Sequence, residues 1–137
     1  MKHLIASALA SALVSACALF GTAALADTAA SGAAAEPCAI GTANGVAGTP
    51  ASLREYLKLP QSDQFRYLMT NQITCKISDE GRASGCAGLT SLRHDRVSVY
   101  DDSDSAVTTV VARVDLDQGT YPIMIDVPKA NLKCETH

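Results

Sequence analysis

The sequence predicts an α+β domain in which two short helices pack on one face of a small antiparallel meander sheet of about five strands, stapled by disulfides. Three observations predict it. Apolar residues recur at helical spacing between Thr49 and Thr70, then switch to a period of two from Ile73 onward. The strand-like runs are separated by turns too short for anything but antiparallel neighbours. Four of the five cysteines, Cys38, Cys75, Cys86 and Cys134, lie beyond residue 26, and an even number in a small chain suits a disulfide framework.

The amino end reads as a targeting segment and is set aside from the fold. Lys2 and His3 precede an apolar, alanine-rich run from Leu4 to about Ala24, and Ala24-Leu25-Ala26 places small residues where a signal peptidase reads them, before Asp27. This is the pattern of a secretory signal peptide over residues 1–26. The run is long enough to consider a membrane span, but no second basic flank follows it. A second cut lies inside the run. Val14-Ser15-Ala16-Cys17 is similar to the lipobox of bacterial lipoproteins, whose cysteine becomes the lipidated first residue, although Ala18-Leu19-Phe20 stays apolar where such proteins turn polar.

Residues 27–48 are rich in Ala, Gly, Ser and Thr, carry Asn44-Gly45 and show little periodicity. They are expected to form a flexible leader pinned at Cys38, followed by one domain over residues 49–137. Such a domain builds a modest core. With no Trp, and with one of its two Phe residues inside the signal, its interior must be aliphatic. The formal net charge is −3, and loss of Lys2 makes it more negative. The basic residues form no stripe, which argues against nucleic acid and against anionic membrane surfaces as partners.

Thr49 and Pro50 suit the cap and first turn of a helix, and Leu53, Tyr56 and Leu57 follow at i, i+3 and i+4. Leu59-Pro60 ends it, because a residue before proline leaves the helical region. Ser62 is placed to cap a second helix, with Asp63 at its positive end and Phe65, Leu68 and Met69 as its apolar stripe. The stripes are expected to pack on the sheet. A ligand groove lined by Tyr56, Phe65, Tyr67 and Met69 is the alternative.

A hairpin comes next. Gln72 to Ser78 is one arm and Ala83 to Leu89 the other, with Gly81 supplying the positive φ of a short turn. A turn centred on Glu80-Gly81 sets Cys75 opposite Cys86, which leaves Cys38 for Cys134. A bulge or a longer turn would change that register. The long-range bridge is worth roughly 3–5 kcal/mol in the loop-entropy account. Locally the hairpin resembles the strand, Asp-x-Gly turn, strand unit of the carboxy-terminal domain of TonB-like periplasmic proteins. The likeness ends after Leu89, where that family continues into a helix, and it carries no function with it.

Thr90 to Arg96 reads as a polar loop, Val97 to Tyr100 as a short strand and Asp101 to Ser105 as a turn. Ala106 to Leu116 is the strongest strand, with Val110, Ala112, Val114 and Leu116 on one face. After the turn Asp117 to Thr120, Tyr121 to Val127 forms the last strand, with Ile123, Ile125 and Val127 facing one way and Pro128 closing it. The tail runs to Cys134.

Candidate chemistry is sparse. Cys134 and His137 have metal-ligand spacing, yet a zinc site needs about four ligands and the other cysteines are expected to be oxidised. Asp101, Asp102 and Asp104 are oxygen donors of the type calcium takes, but the loop lacks the central Gly and the twelfth-position Glu of an EF-hand. His94 beside Asp95 is a possible general base, with Ser91 or Ser98 as nucleophile and no nucleophile elbow. Arg93, His94 and Arg96 together make a contact patch for an anionic partner. No redox-type Cys-x-x-Cys is present. The expectation is therefore a periplasmic or extracellular binding or accessory protein without cofactor or metal. Its partner is a protein or an envelope component, as for an envelope-associated or inhibitor-like module. It enters no membrane unless lipidated at Cys17. The alternatives are that lipoprotein and a small hydrolase using His94.

Overall fold

The computed structural model describes residues 37–136. Cys17, the cut between Ala26 and Asp27, and His137 lie outside them. The described residues form strand β1 (Ile40–Gly48), helices α1 (Pro50–Lys58) and α2 (Gln61–Thr70), and strands β2 (Thr74–Ile77), β3 (Ala83–Ala87), β4 (Leu89–Asp101), β5 (Val107–Leu116), β6 (Gly119–Pro128) and β7 (Leu132–Cys134). A 3-10 turn, Lys129–Asn131, joins the last two.

The α+β class with antiparallel pairing stands, with two corrections. Among the described residues the helices do not come first, because a strand precedes them, and there are seven strands instead of five. Residues 40–48 are not a leader. They form β1, which pairs with β4 along one edge and with β7 and the end of β6 along the other. Its composition hid it. Ala43 and Ala47 are fully buried, and glycine is required by close approach: a Cβ on Gly48 would lie 2.6 Å from the Gly88 carbonyl oxygen. A central strand squeezed on both edges selects small residues, and small residues carry no visible alternation.

Likewise, residues 90–96 are not a loop, because β4 runs unbroken from Leu89 to Asp101. Its first part pairs with β1, and its last residues pair with β5. The polar run there reflects the solvent face of a strand whose buried residues, Leu89, Leu92 and Val97, do not alternate strictly. A bulge explains the break. Ala43 faces Asp95 and Asn44 faces Arg93, so His94 is the extra residue, and its φ is +59°. The bend lets β4 serve both neighbours. With β5 and β6 in full hairpin register and Gly48 meeting Asp126, β1, β4, β5 and β6 close into a small barrel.

The interior is aliphatic. Val110 and Ala112 of β5 lie opposite Ile125 and Ile123 of β6, and Val114, Val127, Ala43, Ala47, Leu92 and Val97 join them in the cluster. Residues 49–88 leave the barrel between β1 and β4 and return to the same point, where Thr49 N–H donates to the Gly88 carbonyl (3.1 Å) and Leu89 N–H to that of Asn71 (2.7 Å). Helix α1 buries Leu53 alone, and α2 buries no residue. The second helix starts at Gln61 after Pro60, so Ser62 lies within it and does not cap it.

The hairpin differs from the simple two-residue form. Gly81 N–H donates to Ser78 and Ser78 N–H to Arg82, so the loop spans residues 79–81 and Ile77 faces Ala83. That shifts the register by one. A bulge near Gly85 (φ +58°) shifts it back, so Thr74 faces Ala87. The Cα atoms of Cys75 and Cys86 thereby come within 4.1 Å and the two are joined. Cys38 is joined to Cys134, with Cα atoms 5.5 Å apart. The first bridge packs against the core, while Cys134 is exposed.

Candidate functional site

The excursion over residues 49–88 and the barrel enclose a groove of about 440 Å³. Phe65, Leu68 and Met69, one stripe of α2, form its wall, and Ile73 and Leu89 lie beneath them. Helical spacing alone places the three together. The stripe does not reach the core, however. Phe65 is 72% exposed and Met69 54% exposed, and this corrects the expectation that the second helix packs its apolar face on the sheet. Of the residues weighed for a groove, Phe65 and Met69 line it, whereas Tyr56 and Tyr67 do not. Pro60 and the closed base of the excursion account for the position. They fix where α2 starts and ends, and the strand side chains already fill the interior.

Charges of both signs rim this groove, Arg93 from β4, Asp115 from β5 and Asp117 from the β5–β6 turn. Its volume lies in the range of sites that take a small molecule or a few side chains of a partner. Chemically it offers apolar surface with polar groups at the edge. It offers no activated nucleophile. A second groove, of about 450 Å³, lies beside α1 with Leu53, Leu57 and Arg54 facing Asp104, Val107 and Asp126. There the buried Asp126 carboxylate accepts a hydrogen bond from the Thr109 hydroxyl (2.7 Å).

The structure does not bring the expected contact patch together. Arg93 lines the α2 groove, His94 a groove beside β7, and Arg96 a third, near Ile40 and Val111. Alternation along β4, offset by the bulge, sends them apart. Arg96 is moreover forked onto Glu135, with donor–acceptor distances of 3.0 and 3.1 Å. Nor does Asp95 orient His94, since its carboxylate accepts from the Arg93 N–H (2.7 Å) and holds the bulge. Among the described residues, no hydrogen bond joins His94 to Ser91 or Ser98.

The acidic turn is engaged internally. The Asp104 carboxylate accepts from the backbone N–H of Ala106 and Val107, and Asp101 from that of Ser103. Asp102 accepts from the buried Thr108 hydroxyl (2.7 Å) and pairs with Lys129 (3.0 Å). These hydrogen bonds hold all three carboxyls below their ordinary value; for Asp102 the Thr108 hydroxyl is the main cause. Among the described residues, no group of three or more His, Cys, Asp or Glu is placed to hold a metal ion. Cys134 is in a bridge and so is not a thiolate ligand.

No family model matches the chain, and no curated protein or solved structure matches it. The likeness to TonB-like domains stays confined to the hairpin, which is followed by β4 and not by a helix.

Proposed function

We infer that this chain is an exported binding or accessory module that engages a protein partner, an envelope component or an exported enzyme, through the groove beside α2. Phe65 carries the reading. An aromatic side chain 72% exposed, next to a half-exposed Met69 and above a groove floored by Ile73 and Leu89, is apolar surface that the fold leaves uncovered. Covering a large apolar side chain returns about 1.5–3 kcal/mol, and exposed aromatics beside a pocket are the usual anchors of interfaces. The mixed charges at the rim suit a polar border around such a contact.

Export is supported by the two bridges, which persist in oxidising compartments. Among the described residues, no helix is long and apolar enough to cross a membrane. The hydrolase reading of His94 has no support from its surroundings, because Asp95 is committed to the bulge.

The test places a photo-crosslinking residue at position 65, or as control at exposed Arg113 of β5, which lines a different groove, in cells that export the chain. A discrete adduct from position 65 and none from 113 is expected. Absence of an adduct at 65, or the same products from both, overturns the groove as the contact. Intact mass of the recovered protein tests the rest. The expected product is residues 27–137 lacking four hydrogens for two bridges. Four free thiols overturn the exported reading, and a lipidated product beginning at Cys17 replaces it with the anchored form.

A further inference from the structure

We propose that the groove beside β7, a site separate from the α2 groove, binds a small oxyanion: phosphate, sulfate or a carboxylate group. It is lined by Thr42 and Asn44 of β1, His94 of β4, Asn131 and Lys133, with Ala130 the one apolar member. Every polar side chain in it donates hydrogen bonds, and none is a carboxylate. The nearest acid along β7, Glu135, is forked onto Arg96. Among the described residues, none of the five polar side chains is paired in a salt bridge.

The strand register builds the cluster. Thr42 sits opposite Lys133 of β7, so the two share one face across these strands. Thr42 and Asn44, two residues apart, share that face. The bulge then turns His94 into the same groove. Asn131 can lie against β1 because the facing residue is glycine; a Cβ on Gly45 would come within 2.8 Å of its side-chain nitrogen.

His94 adds an independent observation. Its φ of +59° is a conformation glycine adopts freely and a side chain adopts at a cost. This bulge nevertheless carries an imidazole, which lines the groove together with the other donors. The volume, about 200 Å³, lies below the range of drug-sized ligands and matches one anionic group with its hydration. A lysine ammonium and converging amide, hydroxyl and imidazole N–H groups are the donor set that charge-assisted recognition of an oxyanion uses.

The experiment follows backbone amide NMR shifts of the oxidised protein during addition of sodium phosphate, with sodium chloride at matched ionic strength as reference and glycerol phosphate as a parallel arm. Saturable shifts confined to the amides around Asn44, His94, Asn131 and Lys133 are expected with phosphate and not with chloride. Saturation by phosphate alone assigns the site to a free anion, and saturation by both assigns it to the phosphate group they share, free or esterified. Lys133→Ala weakens binding about tenfold or more through loss of a charged donor. Asn44→Asp, which puts a carboxylate into an exposed position of the groove, abolishes it. Identical responses to phosphate and chloride overturn the proposal, as does unchanged phosphate binding in a folded Lys133→Ala protein with the wild-type spectrum elsewhere.

Discussion

Replacing both Cys38 and Cys134 by serine removes the covalent tie between the entry to β1 and the end of β7, residues 96 positions apart. Cys134 is exposed and Cys38 half-buried, so the substitution opens no cavity and strands no polar group in the core. Its main effect falls on the unfolded chain. In the loop-entropy account a closed loop of this length is worth about 4.7 kcal/mol at room temperature. The Cys75–Cys86 bridge, with a separation of 11, is worth about 2.8 kcal/mol by the same relation. The short loop is nested inside the long one and shortens it, but the dependence is logarithmic, so the larger figure falls by only about 0.1 kcal/mol. A domain of this size has a net stability of about 5–15 kcal/mol. The long bridge therefore accounts for between a third and nearly all of it. Urea unfolding followed by circular dichroism reads the change directly, and the m-value is expected to rise because the unlinked unfolded chain exposes more surface. A serine variant whose midpoint is unchanged refutes the reasoning. So does a larger loss from opening the short bridge than from opening the long one.

Three further outcomes follow from single residues. Gly88→Ala is expected to cost more than about 2 kcal/mol, seen as a fall in thermal midpoint, because φ is +115° and a Cβ would meet the Gln72 carbonyl oxygen at 2.6 Å and the Ile73 Cα at 2.7 Å. His94→Gly relieves the left-handed backbone and stabilises by about 1 kcal/mol, whereas His94→Val costs at least that much, both measured by denaturant titration. The three carboxyls of the acidic turn are held below their ordinary value, Asp104 chiefly by the backbone N–H of Ala106 and Val107 and Asp101 by that of Ser103. Since the folded value lies below the unfolded one, their stabilisation is complete above a pH of about 5 and fades as the pH falls through the unfolded value and then the depressed ones. The thermal midpoint should hold down to about pH 5 and drop below it, with a shallower drop in Asp104→Asn.

Much of the fold was legible because strong patterns coincide with strong constraints. The faces of Val107–Leu116 and Gly119–Pro128 are buried as their alternation requires, and Leu59-Pro60 does separate the two helices. The pattern failed where neighbours, and not periodicity, chose the residues. Gly41, Ala43, Ala47 and Gly48 are small because other strands and Leu132 or Leu89 press on them, and a small-residue strand looks like a linker. The bulge at His94 failed for a related reason. One inserted residue reverses which side chains face inward, and nothing local announces it. At the α2 groove, the stripe of Phe65, Leu68 and Met69 was visible, but its exposure was not. Spacing tells which residues share a face and is silent on what covers that face.

The chain alone determines the aliphatic interior, the helix–strand division and the presence of a paired set of cysteines, because these depend on local propensity and composition. Only the assembled barrel decides that β1 runs between β4 and β7, that Arg93, His94 and Arg96 open into three different grooves, and that donors from β1, β4 and the Lys129–Asn131 turn meet beside Lys133. Those are relations between residues far apart in the chain, set by register and by a single bulge, and no window of sequence contains them.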